Sequence, residues 1–126
     1  MAYILLVEDN DDHADLIIRT LTKAGYKVRH TGLGLEAAKL AREDRPDLIL
    51  LDFDLPDIDG RTVVPLLRRK LGGTAAPPIV AVTGRTNDSD MRIGEMIGCT
   101  AYVCKPFLPE TLVLLIDDLL GDTKQA

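Results

Sequence analysis

Glu8-Asp9, Asp52, Thr83 and Lys105 are an acidic pair, a carboxylate, a hydroxyl and an amine, and each directly follows a short apolar run. Taken singly, an Asp after a strand is an ordinary turn or helix-cap residue. Brought together, three carboxylates repel one another, and unless a cation enters, at least one is driven toward its protonated form. A hard divalent ion with oxygen ligands relieves that conflict, and a mostly hydrated site with two or three carboxylates suits Mg²⁺. An EF-hand is excluded on spacing. A loop starting at Asp9 would need Gly at Ala14 and Glu at Thr20, and one starting at Asp52 would need them at Asp57 and Val63. Gly32-Leu33-Gly34 is too isolated for a dinucleotide fingerprint, and no Walker lysine motif is present.

The elements that must position these residues follow from the hydrophobic pattern. Apolar runs at Tyr3 to Val7, Lys27 to Thr31, Leu48 to Leu51, Ile79 to Thr83 and Ala101 to Cys104 predict strands. The first, third and fourth are apolar at almost every position, as a strand covered on both faces by helices requires. The second, with Lys27, Arg29 and His30 around Val28, predicts an edge. Between them, Ala14, Ile17, Ile18 and Leu21 predict a helix capped by Asp11 and closed by Gly25. Leu35 to Arg42 predicts another. Gly60 to Leu71, with Val63, Val64, Leu66 and Leu67, predicts a helix kinked or started late by Pro65. Asp88 to Ile97 predicts a weak helix with Met91, Ile93, Met96 and Ile97 around Gly94. Leu112, Leu115, Ile116 and Leu119 predict the last one, with Pro109 in its first turn and Gly121 past its end, leaving residues 121–126 as a short polar tail. Strand and helix alternate five times, so the expected fold is α/β, a five-stranded parallel sheet of order 2-1-3-4-5 with helices on both faces. In such sheets ligands collect beyond the carboxyl ends of the strands, where the chemical residues fall.

Composition narrows the function classes. Lys+Arg 15 against Asp+Glu 20 gives a net charge of −5, with 46% hydrophobic and 28% charged residues over 126, an ordinary globular balance. A chain of this length folds to expose ~6,600 Å², enough burial for one domain, 1–126, with a real core. The acidic balance argues against direct nucleic-acid binding, and Arg68-Arg69-Lys70 reads as a solvated helix end. No apolar run approaches a membrane span or a signal sequence. Cys99 and Cys104 match no zinc spacing with His13 and His30, so the thiols are expected reduced, buried or idle, in a cytoplasmic protein.

Val7-Glu8-Asp9-Asn10, Leu50 to Gly60, Val82-Thr83-Gly84 and Tyr102 to Phe107, in this order on five strands, resemble the receiver domain of the two-component response-regulator family. The resemblance implies a flavodoxin-like doubly wound (βα)5 sandwich. It implies that Asp52 takes a phosphoryl group from a phosphohistidine of a histidine kinase or histidine phosphotransfer protein. It implies Mg²⁺, with Mn²⁺ as the alternative ion, on Glu8, Asp9, Asp52 and the backbone carbonyl of Asp54. Lys105 would meet Asp52 and then a phosphoryl oxygen, Thr83 would offer its hydroxyl, and Gly84 would leave room. Pro106 would follow a cis bond, and Tyr102 would stand at the family's aromatic switch position. With no effector domain after residue 126, output is expected through the fourth-helix, fifth-strand, fifth-helix face to a downstream protein; a homodimer stays open. Glu8 stands where the family more often has Asp. Asp54 and Arg85 are expected to pair across the mouth and tune hydrolysis of the acyl phosphate.

Two rival readings use the same residues. Asp52-Phe53-Asp54 also resembles the opening Asp-x-Asp of haloacid-dehalogenase-type phosphatases, with Thr83 and Lys105 as later motifs and Asp54 as general acid. That motif ordinarily closes a first strand, whereas here it closes the third. A receiver-like scaffold independent of phosphorylation is the other alternative. The kinase, the target and the aspartyl-phosphate lifetime are not encoded in these motifs.

Overall fold

The structure is a computed structural model describing residues 3–53, 55–84 and 88–125. Five strands, β1 (Tyr3–Val7), β2 (Lys27–Thr31), β3 (Leu48–Leu51), β4 (Ile79–Thr83) and β5 (Ala101–Cys104), alternate with five α-helices. These are α1 (Asp11–Lys23), α2 (Gly34–Glu43), α3 (Gly60–Lys70), α4 (Asp88–Ile97) and α5 (Pro109–Gln125). All strand pairs are parallel and the sheet order is β2-β1-β3-β4-β5. The expected architecture is the observed one, with β2 at an edge.

The period-two alternation of the central strands divides the core in two. Leu5, Val7, Ile49, Leu51, Ile79 and Ala81 face Ala37, Ala38 and Ala41 of α2 and Val63, Val64 and Leu67 of α3. Ile4, Leu6, Leu48, Leu50, Val80 and Val82 face Ala14, Ile17 and Leu21 of α1 and Leu112, Ile116 and Leu120 of α5. Both faces of β1, β3 and β4 are therefore dry, which is why these strands are apolar throughout.

Several boundaries differ from the sequence expectation, each for a local reason. Asn10, not Asp11, caps α1: its backbone is extended and its Oδ1 accepts the His13 N–H at 3.0 Å. Gly25 closes that helix at φ +98° as expected. Helix α3 starts at Gly60 despite Pro65, because the Asp59 carboxylate accepts the Arg61 N–H at 2.8 Å and fixes the first turn. Helix α5 runs through Gly121 to Gln125 instead of stopping there, with Leu120 still buried before the glycine. Met96 of α4 is 85% exposed, whereas Ile97 is partly buried and packs against the core on the α2–α3 side. Arg68 is not merely solvated. Its guanidinium donates to the Gly98 carbonyl and, at 3.3 Å, to Thr100 Oγ1, tying α3 to the end of α4.

Candidate functional site

Parallel pairing sets the strand ends side by side, with Val7 opposite Leu51 and Thr83 opposite Cys104. The ladder runs one residue further: the Asp52 N–H donates to the Val7 carbonyl at 2.9 Å and the Lys105 N–H to the Thr83 carbonyl at 2.8 Å. Glu8, Asp52, Thr83 and Lys105 are thus delivered by backbone geometry to one end of the sheet. Glu8 (1% exposed), Asp52 (7%) and Thr83 (0%) are buried there, while Asp9 is exposed.

Oxygens of Glu8, Asp9 and Asp52 lie within 4.8 Å of one another. The Lys105 ammonium reaches into this cluster and donates to Glu8 Oε1 at 2.6 Å and to Asp52 Oδ2 at 3.2 Å. Burial, and then the adjacent Asp52 carboxylate, push the Glu8 carboxyl up to about 7 against the opposing pull of Lys105. This is the strained protonation balance expected of crowded carboxylates. Burial works against the Lys105 charge, but Glu8 and Asp52 outweigh it and hold the ammonium above its ordinary range. Three hard carboxylate oxygens around such a balance suit a divalent cation with oxygen preference.

Around this centre, Gly60 approaches so closely that an added Cβ would stand 2.6 Å from the Asp52 carbonyl oxygen. At Gly84 no atom of the described residues lies within 4 Å of where a Cβ would be. Lys105-Pro106 is cis. Tyr102 is partly buried, its ring 5.8 Å from that of Phe53 in an edge-on arrangement at 76°. Asp54 and Arg85 lie outside the described residues, and with them the expected carbonyl ligand and the pairing across the mouth. Cys99 and Cys104 are free and half-buried.

Sequence reasoning missed two histidines. His13, in the first turn of α1, places Nδ1 3.3 Å from Lys105 Nζ. His30 places Nε2 2.7 Å from the Glu8 carbonyl. The signal was available in outline: His13 stands four residues after Asp9, one helical turn along, and His30 lies opposite Leu6 in the β1–β2 register, close before Glu8.

The sequence pattern of the response regulator receiver domain matches residues 4–117. The chain belongs to that family. Receiver domains are signalling domains. The chain is 36% identical over 119 residues to the polar-differentiation response regulator DivK of Brucella anthropi, covering 94% of this chain and 96% of that one. It is 41% identical over 106 residues to the transcriptional regulatory protein AfsQ1 of Streptomyces coelicolor. That match covers 84% of this chain and spans 45% of AfsQ1, less than half of its length. The receiver domain of the sensor histidine kinase PA1611 from Pseudomonas aeruginosa PAO1 superposes with a TM-score of 0.86 at 32% identity, covering 95% of this chain and 98% of that one. That structure is described with a magnesium ion coordinated in its active-site cleft. Among the described residues of this receiver, no helix is long and apolar enough to cross a membrane.

Proposed function

We propose that this receiver is a phosphoacceptor of a two-component or phosphorelay system, working in the cytoplasm, with Asp52 as the residue that carries the phosphoryl group. The carrying observation is the Lys105 ammonium held between Glu8 and Asp52 inside a three-carboxylate cluster. Glu8, Asp9 and Asp52 hold a divalent cation, Mg²⁺ or alternatively Mn²⁺, which when bound offsets the negative charge of an approaching phosphoryl donor.

An Asp52 carboxylate oxygen attacks phosphorus in line. The P–N bond of a partner's phosphohistidine breaks as the P–O bond forms, and the imidazole leaves with the electron pair and takes up a proton. Lys105 follows the charge from the carboxylate to a phosphoryl oxygen. The buried Thr83 hydroxyl donates to a second oxygen, and Gly84, which has no side chain, leaves room for the group. Drawing Thr83 toward the phosphoryl group frees space for Tyr102 to turn inward, which biases the α4-β5-α5 face toward a downstream protein. The donor is a histidine kinase or a histidine phosphotransfer protein.

The haloacid-dehalogenase reading loses ground to the same geometry, since Asp52 ends the third strand beside Glu8-Asp9 and not the first. Intact-mass spectrometry with acetyl phosphate and Mg²⁺ tests the reading: a single adduct of about 80 Da is expected on the wild type and none on Asp52→Asn. An adduct that survives that substitution, or steady turnover of p-nitrophenyl phosphate, would overturn it. Tyr102→Ala should abolish partner discrimination between the two phosphorylation states; unchanged discrimination removes the switch.

A further inference from the structure

A lysine ammonium has three N–H donors, and among the described residues three acceptors surround that of Lys105. Two are the carboxylates Glu8 Oε1 at 2.6 Å and Asp52 Oδ2 at 3.2 Å. The third is His13 Nδ1, 3.3 Å from Nζ and 3.6 Å from Glu8 Oε1. We propose that His13 is a positioning residue for Lys105, its Nδ1 lone pair accepting the third ammonium proton so that another stays aimed at Asp52. The proposal rests on the phosphoacceptor reading of Asp52.

Lysine sits on a flexible four-carbon stem and behaves as a compact point charge, so without fixed partners its ammonium wanders among whatever acceptors are near. Here the shortest contact draws Nζ toward Glu8. A third acceptor on α1 turns that two-point contact into a tripod and fixes the direction of the remaining N–H. An ammonium at 3.3 Å from an imidazole nitrogen requires the lone pair there, which places the ring proton on Nε2.

The position of the imidazole is itself determined by the chain. Asn10 caps α1 by accepting the His13 N–H at 3.0 Å, and that bond sets His13 in the first turn, one turn above the acidic pair. His13 lines a cleft of about 350 Å³ together with Leu16, Ile17, Lys105, Pro106 and Phe107, and its side chain is 52% exposed. Replacing it therefore opens no hole in the core, and its effect can be read on the chemistry.

The test compares labelling by acetyl phosphate at saturating Mg²⁺ for wild type, His13→Leu and His13→Asn. Leucine has similar bulk and no acceptor, whereas the asparagine amide oxygen stands near the place of Nδ1. Loss of one hydrogen bond predicts about a fivefold slower labelling for His13→Leu, with Mg²⁺ affinity unchanged, and recovery to near the wild-type rate for His13→Asn. Imidazole ¹⁵N spectra of the Mg²⁺-free protein at about pH 8, where a free imidazole is neutral, supply a second readout. His13 should show the Nε2–H form in wild type and a tautomer mixture in Lys105→Ala. Wild-type labelling by His13→Leu, failure of His13→Asn to recover, or a His13 spectrum indifferent to Lys105→Ala would overturn the proposal. If the wild type takes no label at all, it is the phosphoacceptor reading that fails, and the spectra still decide whether His13 holds Lys105.

Discussion

Lys105 Nζ lies 2.6 Å from Glu8 Oε1, and yet the Glu8 carboxyl is pushed up to about 7 by burial and by Asp52. The cation reduces the carboxylate conflict without removing it. A group whose folded pKa exceeds its unfolded value of 4.5 binds more protons in the native state between those two values. Its stabilisation is complete below about 4.5 and is lost as pH rises through about 7. In a chelator, stability measured by urea unfolding should therefore fall from pH 5 to pH 8 by on the order of 2 kcal/mol through Glu8. Glu8→Gln should flatten that slope, and an unchanged slope would assign the pH dependence to other groups.

Gly60 stands against the backbone of Asp52 and Phe53. A Cβ there would meet Phe53 Cα at 2.5 Å and the Asp52 carbonyl oxygen at 2.6 Å, both main-chain atoms with little room to give. Gly60→Ala should cost about 1–3 kcal/mol through overpacking and should slow labelling by displacing Asp52. A variant that keeps both stability and labelling rate would show that the β3–α3 loop yields more easily than its contacts imply.

Strand positions and sheet order were legible in the sequence because β1, β3 and β4 are buried on both faces, and continuous apolar runs such as Leu48 to Leu51 announce that. The placement of Glu8, Asp52, Thr83 and Lys105 followed, since parallel strands deliver their carboxyl ends to one side. What escaped was set by side chains acting across elements. His13 and His30 gain their roles only when α1 and β2 are docked beside Glu8. The cap of α1 passed from Asp11 to Asn10 because neighbouring polar residues compete for one position, which composition alone does not rank. Gly121 did not end α5, because a glycine inside a helix costs only about 1 kcal/mol and the buried Leu120 holds the helix in place.

Arg68 joins the end of α4 to α3. Its guanidinium donates to the Gly98 carbonyl and to Thr100 Oγ1, and a Cβ at Gly98, where φ is +109°, would strike the Arg68 side chain at 2.6 Å. Neighbouring Arg69 is exposed. Arg68→Ala should cost about 1–2 kcal/mol and speed amide exchange around Gly98 to Thr100, while Arg69→Ala should do neither. Equal, small effects of the two substitutions would return the basic run to a solvated helix end.

Asp57 caps a helix to which it does not belong. Leu33, at the N-cap of α2, offers no side-chain acceptor, and the Asp57 carboxylate takes the Gly34 and Leu35 N–H groups instead, at 2.9 and 3.0 Å. Asp57 lies in the β3–α3 loop that begins at Asp52, so the cap fastens α2 to the segment carrying Asp52. Burial works to raise the Asp57 pKa, but the Leu35 and Gly34 amides, with its own and that of Ile58, outweigh it and hold the carboxyl below 3.8. The cap therefore contributes above the unfolded pKa and is lost as pH falls through the depressed folded value. Asp57→Ala should cost about 1 kcal/mol near neutral pH and release the Gly34 and Leu35 amides to exchange. Asp57→Asn, which keeps one acceptor oxygen, should protect one of the two amides and recover part of the stability. If both amides remain protected in Asp57→Ala, the N-terminus of α2 is held by its packing on Ile58 and Val63 and not by this carboxylate.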